Sequence, residues 1–260
     1  MTQKVTDSQL LRWGKTSSGI AKPQEIRFLQ GPQQRTFELG RAFSVFREMI
    51  YGFRKLHFVG PCVTVFGSAR FDENHRYYQL AREVGRLLAK AGFTVMTGGG
   101  PGIMEAANRG AKDVPGAKSI GCNIILPKEQ HPNPYVDQWI DFEHFFVRKV
   151  MLIKYSYAFI VMPGGFGTMD ELFEVLTLIQ TGKLEDFPVA LMGTDFYGPG
   201  IEQLKLFVER ATIDPLDLTK LTVSDDPVQV VNGITDTVMK RFGLSYAEPR
   251  ARKRWWLGEW

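Results

Sequence analysis

Ala158-Phe159-Ile160-Val161-Met162-Pro163-Gly164-Gly165-Phe166-Gly167-Thr168-Met169-Asp170-Glu171 reads as a buried strand, a glycine turn and the start of a helix. The strand, Ala158–Met162, is a continuous apolar run of the kind found in parallel sheets, where both faces are covered. Three glycines in the turn let the backbone approach a ligand closely. The helix that follows has Leu172, Phe173, Val175, Leu176 and Ile179 as its apolar positions and stops near Gly182, a natural helix-ending residue. A helix N-terminus behind a glycine turn presents free N–H groups and the positive end of its dipole, which is an anion site. The stretch thus predicts a phosphate, with Glu171 about one helical turn away.

Outward from this stretch the same alternation repeats. Strands are expected at Cys62–Phe66, Phe93–Met96, Ser119–Leu126, Val189–Met192 and Leu221–Ser224, with a further short one at Trp139–Phe142. Helices are expected from Asn74 to Ala91, from Pro101 to Lys112, from Phe145 to Tyr155, from Gly200 to Arg210 and from Pro227 to Arg241. Strands alternating with helices argue an α/β fold with a parallel sheet and right-handed crossovers. In such sheets ligands bind beyond the carboxyl ends of the strands. Three ends carry unusual chemistry: Gly67-Ser68, the cluster Gly98-Gly99-Gly100-Pro101-Gly102, and Pro163–Thr168.

Before the alternation lies an N-terminal extension. Residues 1–35 show no periodicity and read as an arm, with no apolar core of a leader peptide in Met1–Gly14. From Thr36 to Leu56, Leu39, Phe43, Phe46, Met49, Ile50 and Phe53 recur at helical spacing, facing either their own domain or a subunit interface. The organisation expected is therefore 1–58 as arm and helix, 59–243 as the α/β domain, and 244–260 as a basic, aromatic tail.

The formal net charge of +4 is uneven: the basic excess sits in residues 1–36 and 247–260, so the body is not a polyanion surface, and no nucleic-acid partner is expected. No apolar run approaches the ~20 residues that span a bilayer, so no membrane partner is expected and a cytoplasmic location is. Cys62 and Cys122 lie in strand-like runs and read as buried thiols. His57, His75, His131 and His144 have no ligand spacing, and no metal is expected.

Several readings compete at the motifs. Gly98-x-Gly100-x-x is followed by Ile103, not Gly or Ala, and no acid ends the next strand, so the dinucleotide fingerprint fails. No GxxxxGK[ST] occurs either. Thr168-x-x-Glu171 fits a capping box as well as it fits catalysis. Arg148-Lys149 opens a helix that would turn Val150, Ile153 and Tyr157 inward, with Arg148 toward the strand ends or, equally, in a solvated basic pair.

Taken together the motifs resemble the LOG family of cytokinin riboside 5′-monophosphate phosphoribohydrolases, also labelled lysine decarboxylases. Pro163–Glu171 matches that family's PGGxGTxxE, Arg148-Lys149 its RK pair, Gly98–Asn108 its second glycine signature and Gly67-Ser68 its first strand end. The resemblance covers about residues 60–243. It implies a Rossmann-like, doubly wound parallel sheet with flanking helices. It implies hydrolysis of the N-glycosidic bond of a nucleoside 5′-monophosphate, giving adenine or an N6-substituted adenine and ribose 5-phosphate. Cytokinin nucleotides and AMP, the latter in an AMP nucleosidase type of reaction, both fit. Arg148 and Glu171 would be the catalytic pair. Gly67, Ser68, Gly98, Gly99, Gly100, Lys149, Gly164, Gly165, Gly167 and Thr168 would hold the nucleotide and its phosphate. No cofactor is implied. The terminal extensions resemble the longer type II subgroup and imply a homo-oligomer, dimer or hexamer. A non-catalytic nucleotide or molybdenum-cofactor carrier is the alternative class. Lysine decarboxylation would need a pyridoxal-binding lysine, and no lysine here carries such a motif.

Overall fold

The computed structural model describes residues 24–126, 131–185 and 187–243. The readings of the arm's first 23 residues and of the tail 244–260 lie outside them, as do residues 127–130 and 186. The described residues form two compact units, 24–51 and 52–243, with the boundary inside a helix.

The first unit holds α1 (Gln24–Phe28) and most of α2 (Arg35–Leu56). Arg27 lies over the ring of Phe37 at 4.2 Å, and Glu38 accepts from the backbone of Gln33 at 2.9 Å. Leu39, Phe43 and Phe46 of α2 are exposed, with the two phenylalanine rings stacked on each other 6.4 Å apart.

The second unit continues as β1 (Cys62–Phe66), α3 (Arg76–Lys90), β2 (Thr94–Thr97), α4 (Ile103–Lys112), β3 (Ser119–Ile124) and β4 (Gln138–Phe142). It then runs through α5 (Phe145–Tyr155), β5 (Ser156–Val161), α6 (Phe166–Gln180), β6 (Val189–Leu191), α7 (Thr194–Glu209), α8 (Pro215–Leu218), β7 (Leu221–Val223) and α9 (Pro227–Phe242). All neighbouring strands run parallel, in the order β4-β3-β2-β1-β5-β6-β7. This is the doubly wound sheet expected.

The apolar runs explain themselves in the sheet. β1, β2, β3 and β6 are buried at every residue. Val63, Val65, Val95, Ala158, Ile160 and Ala190 pack with α3, α4 and α9 on one face. Thr64, which alternates with them, faces the other way and bonds Ser156, whose hydroxyl reaches Leu152 O of α5. Phe66, Phe159 and Phe187 form an edge-to-face chain at centroid distances of 4.8 and 5.0 Å. Burying a side chain of this size contributes about 1.5–3 kcal/mol.

Two short helices, α1 within the stretch read as an arm and α8, are not among the expected elements, and three further elements differ from expectation. α7 begins at Thr194, well before Gly200, although Pro199 lies inside it. Its N-terminus is secured by Asp225, which accepts from the backbones of Gly193 at 2.5 Å and Thr194 at 3.0 Å, a cap invisible to local sequence. α4 begins at Ile103, because Gly102 takes a left-handed φ of 71° and becomes its N-cap. α5 buries Val147, Met151 and Leu152, leaving Val150 exposed, so its inward face is rotated from the one expected. No helix among the described residues is long and apolar enough to cross a membrane.

Candidate active site

The strand order reverses between β1 and β5. The chain leaving β1 goes toward β2, and the chain leaving β5 goes toward β6. The two connections diverge and leave a crevice, the usual ligand position in open α/β sheets. Its floor is tied shut: Met162 N–H donates to Phe66 O at 2.8 Å and Ser68 N–H to Pro163 O at 2.9 Å. Above lies a cavity of about 730 Å3. Gly67, Ser68, Gly98, Arg148, Gly164, Gly165, Gly167, Thr168 and Glu171 all line it. Residues just beyond β1 and β2, from α5, from the β5–α6 turn and from α6 are thus brought to one place.

The N-terminus of α6 opens into this cavity. Gly165 is its N-cap, with no side-chain cap, and the N–H groups of Thr168 and Met169 both donate to Gly165 O at 3.0 Å. Thr168 is therefore the third residue of the helix. A capping box with Glu171 does not form, because the cap position is three residues earlier. The N–H groups of Phe166 and Gly167 have no intrahelical acceptor, as at any helix start. The Thr168 hydroxyl occupies space that a Cβ on Gly164 would need, so the glycine lets the threonine close on the turn. Phe166, the first helical residue, is 96% exposed at the rim.

Glu171 sits one turn deeper and is only 4% exposed. Its Oε2 is buried with no hydrogen-bond partner among the described residues. Burial pushes its carboxyl up to about 7; the positive charges of Arg148 and Lys149 oppose that rise, and Glu174 and Asp170 add to it. Arg148 donates through Nε to Cys122 O at 2.9 Å, within β3. Burial pushes its guanidinium down from the usual range and the Glu171 charge holds it up; an arginine nonetheless remains charged. A buried carboxylate oxygen without a partner costs stability, and groups of this kind cluster at functional sites.

Three predicted site residues lie off the cavity lining. Lys149 faces α6, in ion pairs with Asp170 at 2.9 Å and Glu174 at 2.8 Å. Burial would lower its ammonium, but those two carboxylates win and raise it. Gly99 and Gly100 are held from below by Asn133, whose Nδ2 reaches Gly99 O at 2.9 Å and Gly100 O at 3.1 Å. Asn133 also donates to Asn108 Oδ1 at 3.0 Å, which accepts from Thr97 at 2.7 Å, while Asn108 Nδ2 donates to Ser119 at 2.7 Å. Gly99 N–H closes the network on the Thr97 hydroxyl at 2.8 Å. This buried lattice shapes the glycine turn.

Sequence reasoning did not find Arg70, Met104, Met169 and Phe196 in the lining. Phe196 was hidden by the misplaced start of α7. Arg70 follows the Gly67-Ser68 signal by two residues and could have been read from it. Among the described residues no group of three or more His, Cys, Asp and Glu could hold a metal ion.

Fold and site define a Rossmann-like α/β protein with a helix start that has no side-chain cap and an acidic group at the switch point. The family model described as "Possible lysine decarboxylase" matches residues 104–234. A cytokinin riboside 5′-monophosphate phosphoribohydrolase of Arabidopsis thaliana is 30% identical over 59% of this chain and 72% of its own. That of Oryza sativa subsp. japonica is 32% identical over 62% and 66%, and that of Rhodococcoides fascians 29% over 63% and 84%. The chain belongs to this LOG family. The molybdenum cofactor binding protein of Rippkaea orientalis shares the fold, with a TM-score of 0.53 and 24% identity over 68% of this chain and 97% of its own.

Proposed function

We propose that this protein hydrolyses the N-glycosidic bond of adenine-type nucleoside 5′-monophosphates, either cytokinin riboside 5′-monophosphate or AMP, to the free base and ribose 5-phosphate. The observation that carries the reading is Glu171: buried, unsatisfied, raised to about 7 and facing the cavity beside Arg148. The family's named activity supports it.

The 5′-phosphate lies at the start of α6, on the N–H groups of Phe166 and Gly167 and the Thr168 hydroxyl, with Gly67-Ser68 opposite. Anchored there, it places C1′ of the ribose toward Glu171, so binding energy remote from the broken bond orients the reacting centre. As the bond from C1′ to the base nitrogen breaks, its electron pair leaves with the base and positive charge develops on the ribose. Ionised Glu171 stabilises that charge, as carboxylates do in sugar hydrolysis. It then accepts a proton from the water whose oxygen bonds C1′, and that same proton, given up by Glu171 directly or through solvent, ends on the departing base nitrogen, returning Glu171 to its ionised form. Arg148 keeps Glu171 ionised through its charge.

The test is incubation with AMP and with N6-isopentenyl-AMP, measuring free base and ribose 5-phosphate. Release that is abolished in Glu171→Gln and strongly reduced in Arg148→Ala supports the reading. Absence of release from either nucleotide rejects it, and tight nucleotide binding without turnover would make the protein a carrier. The exposed face of α2 serves, in the same proposal, as a subunit interface of a cytoplasmic homo-oligomer, dimer or hexamer, without nucleic-acid or membrane partners.

A further inference from the structure

A 5′-phosphate carries about −1.5 to −2 charges near neutral pH. The start of a helix offsets roughly half of one charge. A second source of positive charge is therefore needed. Among the described residues lining the cavity, Arg70 and Arg148 are the cations. Arg148 is tied by Nε to Cys122 O and coupled by charge to Glu171, which occupies it at the reacting end. Lys149 is held between Asp170 and Glu174 and does not line the cavity. Arg76, on α3, is paired with Asp195.

Arg70 stands apart. Its backbone N–H donates to Ser68 Oγ at 3.1 Å, a tight turn that follows β1 directly, across the crevice from the start of α6. Its guanidinium has no hydrogen bond or ion pair with any described residue, and the residue is exposed. An unpaired guanidinium on the wall of an anion site matches phosphate geometry, because its planar fork can donate two parallel N–H bonds to two phosphate oxygens.

We propose that Arg70 is the phosphate-anchoring cation of this site. The inference rests on the nucleotide reading above and deepens it. The two arginines divide the substrate: Arg148 serves the carboxylate at C1′, and Arg70 serves the 5′-phosphate. The protein then discriminates nucleotides from nucleosides chiefly through Arg70 and the α6 N-terminus.

The experiment is calorimetric titration of the full chain with ribose 5-phosphate and with ribose, at low and at physiological salt. The variants are Arg70→Gln, Arg70→Lys and, as a control on a cation already occupied, Arg76→Gln. Loss of a charged hydrogen-bonding pair weakens binding by about 10- to 100-fold, so Arg70→Gln should bind ribose 5-phosphate at least about tenfold more weakly. Arg76→Gln should match the parent, and any ribose binding should be unaltered in all. In turnover of AMP, KM should rise far more than kcat falls. Arg70→Lys, which keeps the charge but loses the fork, should fall between parent and Arg70→Gln, and it keeps the test open if glutamine impairs folding. Equal affinity in Arg70→Gln and parent overturns the proposal, as does failure of the parent to bind ribose 5-phosphate. Binding that depends on Arg70 without base release from any nucleotide would reject the hydrolase reading and leave Arg70 as the anchor.

Discussion

Arg148 Nη2 lies 2.8 Å from the point a Cβ on Gly98 would occupy. The end of β2 is thus shaped to let a guanidinium rest on bare backbone, while β3 supplies its acceptor at Cys122 O. Gly98→Ala should displace the Arg148 guanidinium, together with the Met104 sulfur 2.7 Å from the same point. Misplacement by about 1 Å can cost on the order of 100-fold in rate, so kcat/KM should fall at least about tenfold. Steady-state kinetics on AMP, with circular dichroism to show intact folding, checks this. A rate equal to the parent's would mean that the Arg148 position is not rate-determining.

Glu171 binds its proton more tightly folded than unfolded, because burial raises it from 4.5 to about 7. The sign follows: between those values the folded state holds more protons, so stability falls as pH rises, by up to ~3 kcal/mol once the group is ionised. Glu171→Gln should therefore raise Tm at pH 8 and change it little at pH 4.5. A melt series over that range measures it. No gain at pH 8 would remove the claim that this carboxylate is strained.

The same group sets the pH dependence of turnover. A base must be ionised, so kcat/KM should climb with pH and level off above about 7. Arg148 holds the carboxyl down, so in Arg148→Met the residual activity should show its limb shifted upward. A limb that stays in place would separate Arg148 from Glu171 electrostatically.

Asn133→Ala removes the donor that ties Gly99, Gly100 and Asn108 together. Gly99 O keeps the Asn133 backbone N–H and Asn108 Oδ1 keeps the Thr97 hydroxyl, but three side-chain hydrogen bonds worth about 0.5–1.5 kcal/mol each are lost, so urea unfolding should show a loss of ~2 kcal/mol. Asn133→Asp should fare no better, since a carboxylate cannot donate to those carbonyls. Unchanged stability in Asn133→Ala would place the turn's rigidity elsewhere.

Phe43 and Phe46 expose 63% and 59% of their surfaces on α2. Phe43→Asp with Phe46→Asp should lower the mass seen by light scattering if that face joins subunits. A constant mass with native circular dichroism would reject that face as a subunit interface.

The sheet was legible because fully covered parallel strands are apolar throughout, and the glycine turns mark where it meets a ligand. The site was legible where chemistry clusters in sequence, as in Pro163–Glu171. Reading failed where the deciding partner is remote. Gly165 caps α6 in place of Thr168 because the turn geometry, not the side-chain type, sets the cap. Asp225 extends α7 from the far edge of the sheet. Lys149 looked like a ligand because its two carboxylate partners lie a helix away. Asn133 sat in a loop whose role appears only once it touches the β2 turn.

The pairing of β1 with β5, Val63 against Ala158 through Phe66 against Val161, has a kinetic meaning. These partners come from opposite halves of the domain, and such long-range contacts form only after a large loss of chain entropy. The cavity is bounded by that pairing, so no half-folded intermediate possesses it. Recovery of enzyme activity during refolding would report sheet closure itself, and should lag behind recovery of helical signal.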